Sequence, residues 1–145
     1  MIIKTRHTGL VVRKLSESLK FYEALGFVLW KREIEEGRFI ETVVGIGSVK
    51  LETAKMHASD GSMIELLEYH SHPLKKEKVN SPSNTLGCSH IAFTVDDIER
   101  TCELIKTLGG NIVNDPALSP SGMVKVAYCH DIDGILLELV EEVAS

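Results

Sequence analysis

The pattern of apolar and polar positions repeats in the two halves of the chain. A short alternating segment begins at His7 and another at His90, and each leads into a stretch with helical periodicity. The helical stretches stop at glycine, Gly26 in the first copy and Gly109 in the second. Apolar residues at every second position indicate a strand, and apolar residues three or four apart indicate a helix. The two copies align without a gap, so the sequence predicts a duplicated strand–helix unit.

Three further strands are predicted after the helix in each half: residues 28–35, 49–57 and 62–69, then 111–114, 125–129 and 135–141. The first half is longer, and the alignment places its extra residues at 38–47, a segment without a clear pattern. The order strand, helix and three strands in both halves predicts an α+β fold. We expect two paired βαβββ modules that form curved mixed sheets around a shared cleft.

The length of 145 residues suits one domain with a substantial core. Either half alone would bury too little apolar surface, so we predict a single domain over 1–145. Module 1 covers 1–69 and module 2 covers 88–145. The residues between them, 70–87, are rich in Pro, Ser and Lys and are predicted to form a linker.

Composition and charge exclude several classes of protein. The chain is 43% hydrophobic and 26% charged, which is ordinary for a globular protein. Its net charge of −5 and its lack of a basic stripe argue against binding to nucleic acid. No segment approaches the roughly 20 apolar residues of a membrane span. Three cysteines without paired spacing favour a reducing compartment, so we expect a cytoplasmic protein that binds neither nucleic acid nor membrane.

Each half also carries a glutamate inside an apolar strand. Glu65 and Glu138 each interrupt a run of apolar residues. A carboxylate in a strand that is buried on both faces costs several kcal/mol unless it is paired, protonated or bound to a metal. His7 and His90 lie on strand faces with small neighbours, which leaves room for a ligand. A duplicated His and Glu indicate a metal site shared between the halves, with structural ion pairs as the alternative.

Five fragments span nearly the whole chain in order: HTGLVV from His7, FYEALGF from Phe21, IELL from Ile64, HIAFTV from His90 and DGILLEL from Asp133. Together they resemble the vicinal oxygen chelate superfamily, which includes glyoxalase I, methylmalonyl-CoA epimerase, extradiol dioxygenases and the fosfomycin and bleomycin resistance proteins. The resemblance implies paired βαβββ modules and a metal ion that takes one ligand from the first and last strand of each module. Those ligand positions are His7, Glu65, His90 and Glu138.

The ligand types narrow the chemistry that the resemblance implies. Two imidazoles and two carboxylates suit one six-coordinate divalent ion, Ni²⁺, Co²⁺, Zn²⁺, Mn²⁺ or Mg²⁺. Such an ion would polarise a carbonyl and stabilise an enolate or enediolate, while Glu138 or Glu65 removes the neighbouring proton. This describes a glyoxalase-type lyase or isomerase, or an epimerase, that acts on a small molecule. The epimerase pattern has an amide at the position of Glu65, and the departure favours the glyoxalase I ligand set.

Two other activities of the superfamily stay open. An extradiol dioxygenase would hold Fe with two histidines and one carboxylate, and Glu65 would be an additional ligand there. A non-enzymatic resistance or ligand-binding protein of the same fold would not need all four side chains. The superfamily also implies a homodimer, whose site lies within one chain or between two.

Candidate substrate contacts lie outside these four residues. Members that use glutathione bind it through Arg and Asn side chains, and Arg13 and Arg38 are the candidates in this chain. Ordinary surface or core roles are the alternative for each candidate. The predicted substrate contacts are Arg13, Arg38, His70, Tyr128 and Met123.

Overall fold

The computed structural model describes residues 1–74 and 79–143. The chain forms two compact units, Met1–Lys76 and Glu77–Ser145, so it divides within the predicted linker. Residues 75–78 of that linker lie outside the described residues. A single domain over 1–145 and a cleft shared by the two sheets therefore stay predictions. Within the described ranges, no helix is long and apolar enough to cross a membrane.

The first unit contains a four-stranded mixed sheet and two helices. In chain order its elements are β1 (Thr8–Val11), α1 (Leu15–Ala24), β2 (Val28–Glu36), α2 (Arg38–Val44), β3 (Lys50–His57) and β4 (Met63–Tyr69). The strands lie side by side in the order β1-β4-β3-β2. Strand β1 is parallel to β4, and the other pairs are antiparallel. Apart from α2, this is the predicted βαβββ order.

The second unit repeats this arrangement with a five-stranded sheet. Its elements are β5 (Ile91–Thr94), α3 (Ile98–Thr107), β6 (Asn111–Ile112), β7 (Ala117–Leu118), β8 (Val124–His130) and β9 (Leu136–Glu142). The order is β5-β9-β8-β6, with the short unpredicted strand β7 also paired to β8. Strand β5 is parallel to β9. The α+β fold class is confirmed.

Helix α1 contacts β2, β3 and β4 on one face of the first sheet. The buried residues of this layer alternate along the strands, as a period of two requires. They are Leu10 and Val12, Ala54 and Met56, Ile64 and Leu66, together with Leu15, Leu19 and Tyr22 of the helix. The same alternation directs His7 and Glu65 to the opposite face.

The extra residues of the first half form α2, where the sequence suggested no regular structure. Ile40 of this helix is buried with Leu51, and Leu67 and Tyr69 pack against them. Leu67 and Tyr69 share a face of β4 with Glu65 because strand residues two apart point the same way. Helix α2 therefore covers part of the sheet face that carries Glu65.

A glutamate of the last strand caps the first helix in each unit. The backbone N–H of Leu15 donates to Oε2 of Glu68 at 2.6 Å, and that of Ile98 donates to Oε2 of Glu141 at 2.7 Å. The first N–H groups of a helix have no partner within the helix, and its positive dipole end favours an anion. Each of these carboxylates therefore stabilises the start of a helix that is distant in sequence.

Replacing Glu141 with Ala should lower the free energy of unfolding by about 1 kcal/mol, because the start of α3 loses its acceptor. Glu141→Gln keeps an acceptor oxygen without the charge and should lose less. Urea unfolding followed by circular dichroism measures both, with the exposed neighbour Glu142→Ala as the matched control. An equal loss in Glu142→Ala would contradict the capping role.

All three cysteines are free, and they differ in burial. Cys88 is exposed, whereas Cys102 of α3 and Cys129 of β8 are buried. Burial raises the pKa of the Cys102 thiol and raises the pKa of Cys129 to about 12. Only the thiolate reacts readily, so both buried residues are core side chains rather than nucleophiles.

In the native protein, a disulfide reagent such as DTNB should therefore modify one thiol quickly at about pH 8, and all three after unfolding. Cys88→Ser should remove the fast reaction. Because the pKa of Cys129 is raised, increasing the pH by one unit should leave this thiol slow. Rapid labelling of native Cys88→Ser would contradict the assignment.

Candidate metal and substrate site

The parallel pairing of β1 and β4 brings the first histidine and glutamate together. The register aligns Gly9 with Glu65, and His7 lies two residues earlier on the same face. Nε2 of His7 is 2.9 Å from Oε2 of Glu65. The two residues are distant in sequence, and the strand pairing alone makes them neighbours.

The second unit builds the same pair from β5 and β9. Ala92 is aligned with Glu138, and Nε2 of His90 is 2.8 Å from Oε2 of Glu138. Nδ1 of His90 is 3.0 Å from the hydroxyl of Ser89. The imidazole also packs edge-to-face on Tyr128, with ring centroids 5.1 Å apart. The repeat seen in the sequence is thus a repeat of side-chain geometry.

Both carboxylates are largely removed from solvent. The exposed fraction is 12% for the side chain of Glu65 and 21% for that of Glu138. Each carboxylate has an imidazole partner, which meets the requirement that burial imposes. Nδ1 of His7 is buried and has no hydrogen-bond partner among the residues that the structure describes. The contact with Glu65 is therefore the polar contact that orients the ring of His7.

The two His–Glu pairs differ in the residue that lies opposite the glutamate on the neighbouring strand. Lys55 of β3 lies opposite Glu65, whereas Tyr128 of β8 lies opposite Glu138. Nζ of Lys55 is 3.6 Å from Oε1 of Glu65, the oxygen that does not face the imidazole. The first pair therefore carries an additional positive charge, and the second is bordered by an aromatic ring.

The donor atoms of each pair fit a divalent ion. Adjacent ligand atoms around an octahedral ion with bonds of about 2.1 Å are about 3 Å apart. The N···O distances of 2.9 Å and 2.8 Å match that spacing. Imidazole nitrogen and carboxylate oxygen are also donor types that borderline divalent ions accept. Each pair by itself can supply two neighbouring ligand positions.

Among the predicted substrate contacts, Tyr128 lies beside a His–Glu pair. Met123 precedes β8 and is 69% exposed. Arg13 follows β1 and Arg38 begins α2, and both are exposed. The positions of these three residues leave their substrate roles as predictions.

His70 belongs to a second polar cluster at the end of β4. Its Nε2 is 2.8 Å from Glu52 and its Nδ1 is 3.4 Å from Glu68, while Nε of Arg32 donates to Glu52 at 2.6 Å. The hydrogen bond from His70, followed by Arg32, holds the pKa of Glu52 below its usual value. Glu52, Glu68 and His70 could together approach a metal ion. The cluster also connects β2, β3 and β4 to the start of α1, where Glu68 accepts from the N–H of Leu15.

Two units of βαβββ order, each with a histidine directly before its first strand and a glutamate on its last strand, define a protein of the vicinal oxygen chelate fold. The sequence-family model of the Glyoxalase/Bleomycin resistance protein/Dioxygenase superfamily matches residues 4–139 of the chain. The chain belongs to this superfamily, as its sequence fragments predicted.

Several relatives are named as lyases. Lactoylglutathione lyase of Neisseria meningitidis serogroup B is 33% identical over 138 residues, which cover 94% of this chain and 88% of that protein. A probable lactoylglutathione lyase of Synechocystis is 32% identical over 137 residues, with coverage of 93% and 92%. Their names favour the glyoxalase branch of the predicted activities.

Solved structures support the fold. A glyoxalase family protein from Bacillus cereus superposes with a TM-score of 0.91 at 29% identity, covering 99% of this chain and 97% of that chain. The fosfomycin resistance protein FosX from Listeria monocytogenes, complexed with Mn(II) and sulfate, gives a TM-score of 0.63 at 18% identity, with coverage of 99% and 95%. At that identity the likeness to FosX is one of fold.

Proposed function

We propose that this protein is a divalent-metal-dependent glyoxalase-type lyase or isomerase that transfers a proton next to a substrate carbonyl. The observation that carries the proposal is the duplicated His–Glu pair, with N···O distances of 2.9 Å and 2.8 Å. The relatives named lactoylglutathione lyase favour the lyase over the epimerase. The substrate class is a small 2-oxo compound, hemithioacetal or acyl thioester.

Both pairs would hold the same ion, through His7, Glu65, His90 and Glu138. Ni²⁺, Co²⁺, Zn²⁺, Mn²⁺ and Mg²⁺ all suit this mixture of imidazole and carboxylate. The bound ion would act as a Lewis acid toward the substrate carbonyl. Its two positive charges would also balance the two carboxylates.

A carboxylate is needed to move the proton from the carbon next to the carbonyl, and Glu138 suits this role better than Glu65. Oε2 of Glu138 contacts His90, and among the described residues Oε1 has no hydrogen-bond or ion-pair partner. Oε1 of Glu65, by contrast, faces the ammonium of Lys55. Glu138 would accept the proton from this carbon and return it to an adjacent atom of the substrate. Glu65 is the second candidate for this role. Tyr128, which packs on His90, would border the substrate.

The other assignments belong to the same proposal. We expect Arg13, Arg38, His70 and Met123 to contact substrate less directly than Tyr128, since none of them lies beside a His–Glu pair. We also expect a homodimer and a reducing, cytoplasmic location, which the three free cysteines favour.

Protein purified without chelators should contain one divalent ion per chain, as measured by mass spectrometry of the metal content. The double variant His7→Ala/His90→Ala should bind added Co²⁺ about 100-fold or more weakly than the wild type. Loss of a residue that only hydrogen-bonds to a metal ligand lowers metal affinity about 10–100-fold, and these substitutions remove the ligands themselves. His57→Ala, which removes an imidazole outside the pairs, should bind Co²⁺ like the wild type. Unchanged Co²⁺ binding after loss of both histidines would refute the site.

Glu138→Gln should lower kcat on the hemithioacetal of methylglyoxal by about 10²–10⁴-fold, the usual contribution of a general base. The control is Glu142→Gln, an exposed residue four positions further along the chain. The same assays with methylmalonyl-CoA and with catechol, each in the presence of Ni²⁺, Co²⁺ or Fe²⁺, distinguish the alternatives. If catechol is the only substrate that is turned over, and only with Fe²⁺, the protein is an extradiol dioxygenase instead. Binding without turnover in every assay would favour a sequestering protein.

A further inference from the structure

Lys55 places a positive charge beside the first His–Glu pair, and neither the sequence repeat nor the predicted ligand set includes it. Its Nζ is 3.6 Å from Oε1 of Glu65, and its side chain is 28% exposed. At this distance the contact is an ion pair rather than a short hydrogen bond. The ammonium neutralises Glu65 without being fixed tightly to it.

The neighbourhood of Lys55 is otherwise unfavourable for a cation. Lys31 of β2 lies directly opposite Lys55 in the antiparallel pairing. Like charges at such positions repel each other. Lys31 is paired with Glu33 at 2.7 Å. The carboxylate of Glu65 is therefore the group that stabilises the ammonium of Lys55.

The fold does not require a lysine at this position. Tyr128 occupies the corresponding position of the second unit, opposite Glu138, in the same strand arrangement. The difference is therefore confined to the surroundings of the two carboxylates. A charge that the repeat does not need for folding, on the face that carries His7 and Glu65, points to a role in binding.

A metal ion on Glu65 would weaken the attraction between this carboxylate and Lys55. The carboxylate would then be shared with a dication, and attraction between Glu65 and the ammonium would be offset by repulsion between the two cations. A partly buried ammonium without a counter-charge is costly. A negatively charged group of the substrate would restore the balance.

We propose that Lys55 is a specificity-determining residue that binds an anionic oxygen of the substrate. This inference rests on the proposed function. It narrows the substrate to a 2-oxo compound, hemithioacetal or thioester that carries a carboxylate close to the reacting carbon. The same ammonium is also a counter-charge for Glu65.

Oxalate and oxamate test the proposal because they have nearly the same shape and differ by one negative charge. Their binding to the Co²⁺-loaded protein is measured by calorimetry for the wild type, Lys55→Met and Lys55→Arg. Lys55→Met should weaken oxalate binding about tenfold and oxamate binding clearly less, since only the charge contact is lost. Lys55→Arg keeps the charge and should retain most of the affinity for oxalate.

Lys31→Met is the matched control, because it removes a lysine from the adjacent strand that is already paired with Glu33. Its oxalate affinity should stay within about twofold of the wild type. Co²⁺ titration of each variant measures metal binding separately from anion binding. Lys55→Met should bind Co²⁺ at least as tightly as the wild type, because a repulsive charge is gone.

The outcomes are distinguishable. Failure of the wild type to bind Co²⁺ would overturn the proposed function itself. Normal Co²⁺ binding with unchanged oxalate affinity in Lys55→Met would overturn only the role of Lys55. An equal loss for oxalate and oxamate, or the same loss in Lys31→Met, would show that charge recognition by Lys55 is not the cause.

Discussion

A carboxylate in the middle of an apolar strand is the constraint on which this structure depends. Glu65 and Glu138 are 12% and 21% exposed, and a carboxylate so placed requires a partner. Both units meet this requirement in the same way. The first strand runs parallel to the strand of the glutamate and delivers a histidine to it. The arrangement that makes burial of the carboxylate tolerable also places a nitrogen and an oxygen of metal-ligand type side by side.

Two glutamates three residues apart in β4, and two with the same spacing in β9, have separate tasks. Residues three apart in a strand point to opposite faces, so Glu65 meets His7 while Glu68 points toward α1 and caps it. The same division holds for Glu138 and Glu141. One short segment therefore orients a candidate metal ligand and fixes the helix that covers the other face of the sheet.

The two units are similar in backbone and unlike in chemistry. Helix α2 covers part of the face of Glu65, and within its described residues the second unit has no counterpart of this helix. A lysine accompanies the first carboxylate and a tyrosine the second. Duplication supplies matched candidate ligands, and under the proposed function these local differences would let Glu65 serve mainly as a ligand while Glu138 moves the proton.

The sequence by itself predicted the βαβββ order of both units apart from α2 and β7, the place of the insertion, and one histidine and one glutamate in each half as candidate ligands. Apolar periodicity and the glycines that end the helices are local features of the sequence, and each of them occurs in both halves. It did not reveal that 38–44 is helical, because α2 is fixed by packing of Ile40 on Leu51 rather than by its own pattern. Nor did it reveal Lys55 beside Glu65 or Glu68 at the start of α1. These contacts depend on strand register and on which face a side chain takes, and only the tertiary structure decides both.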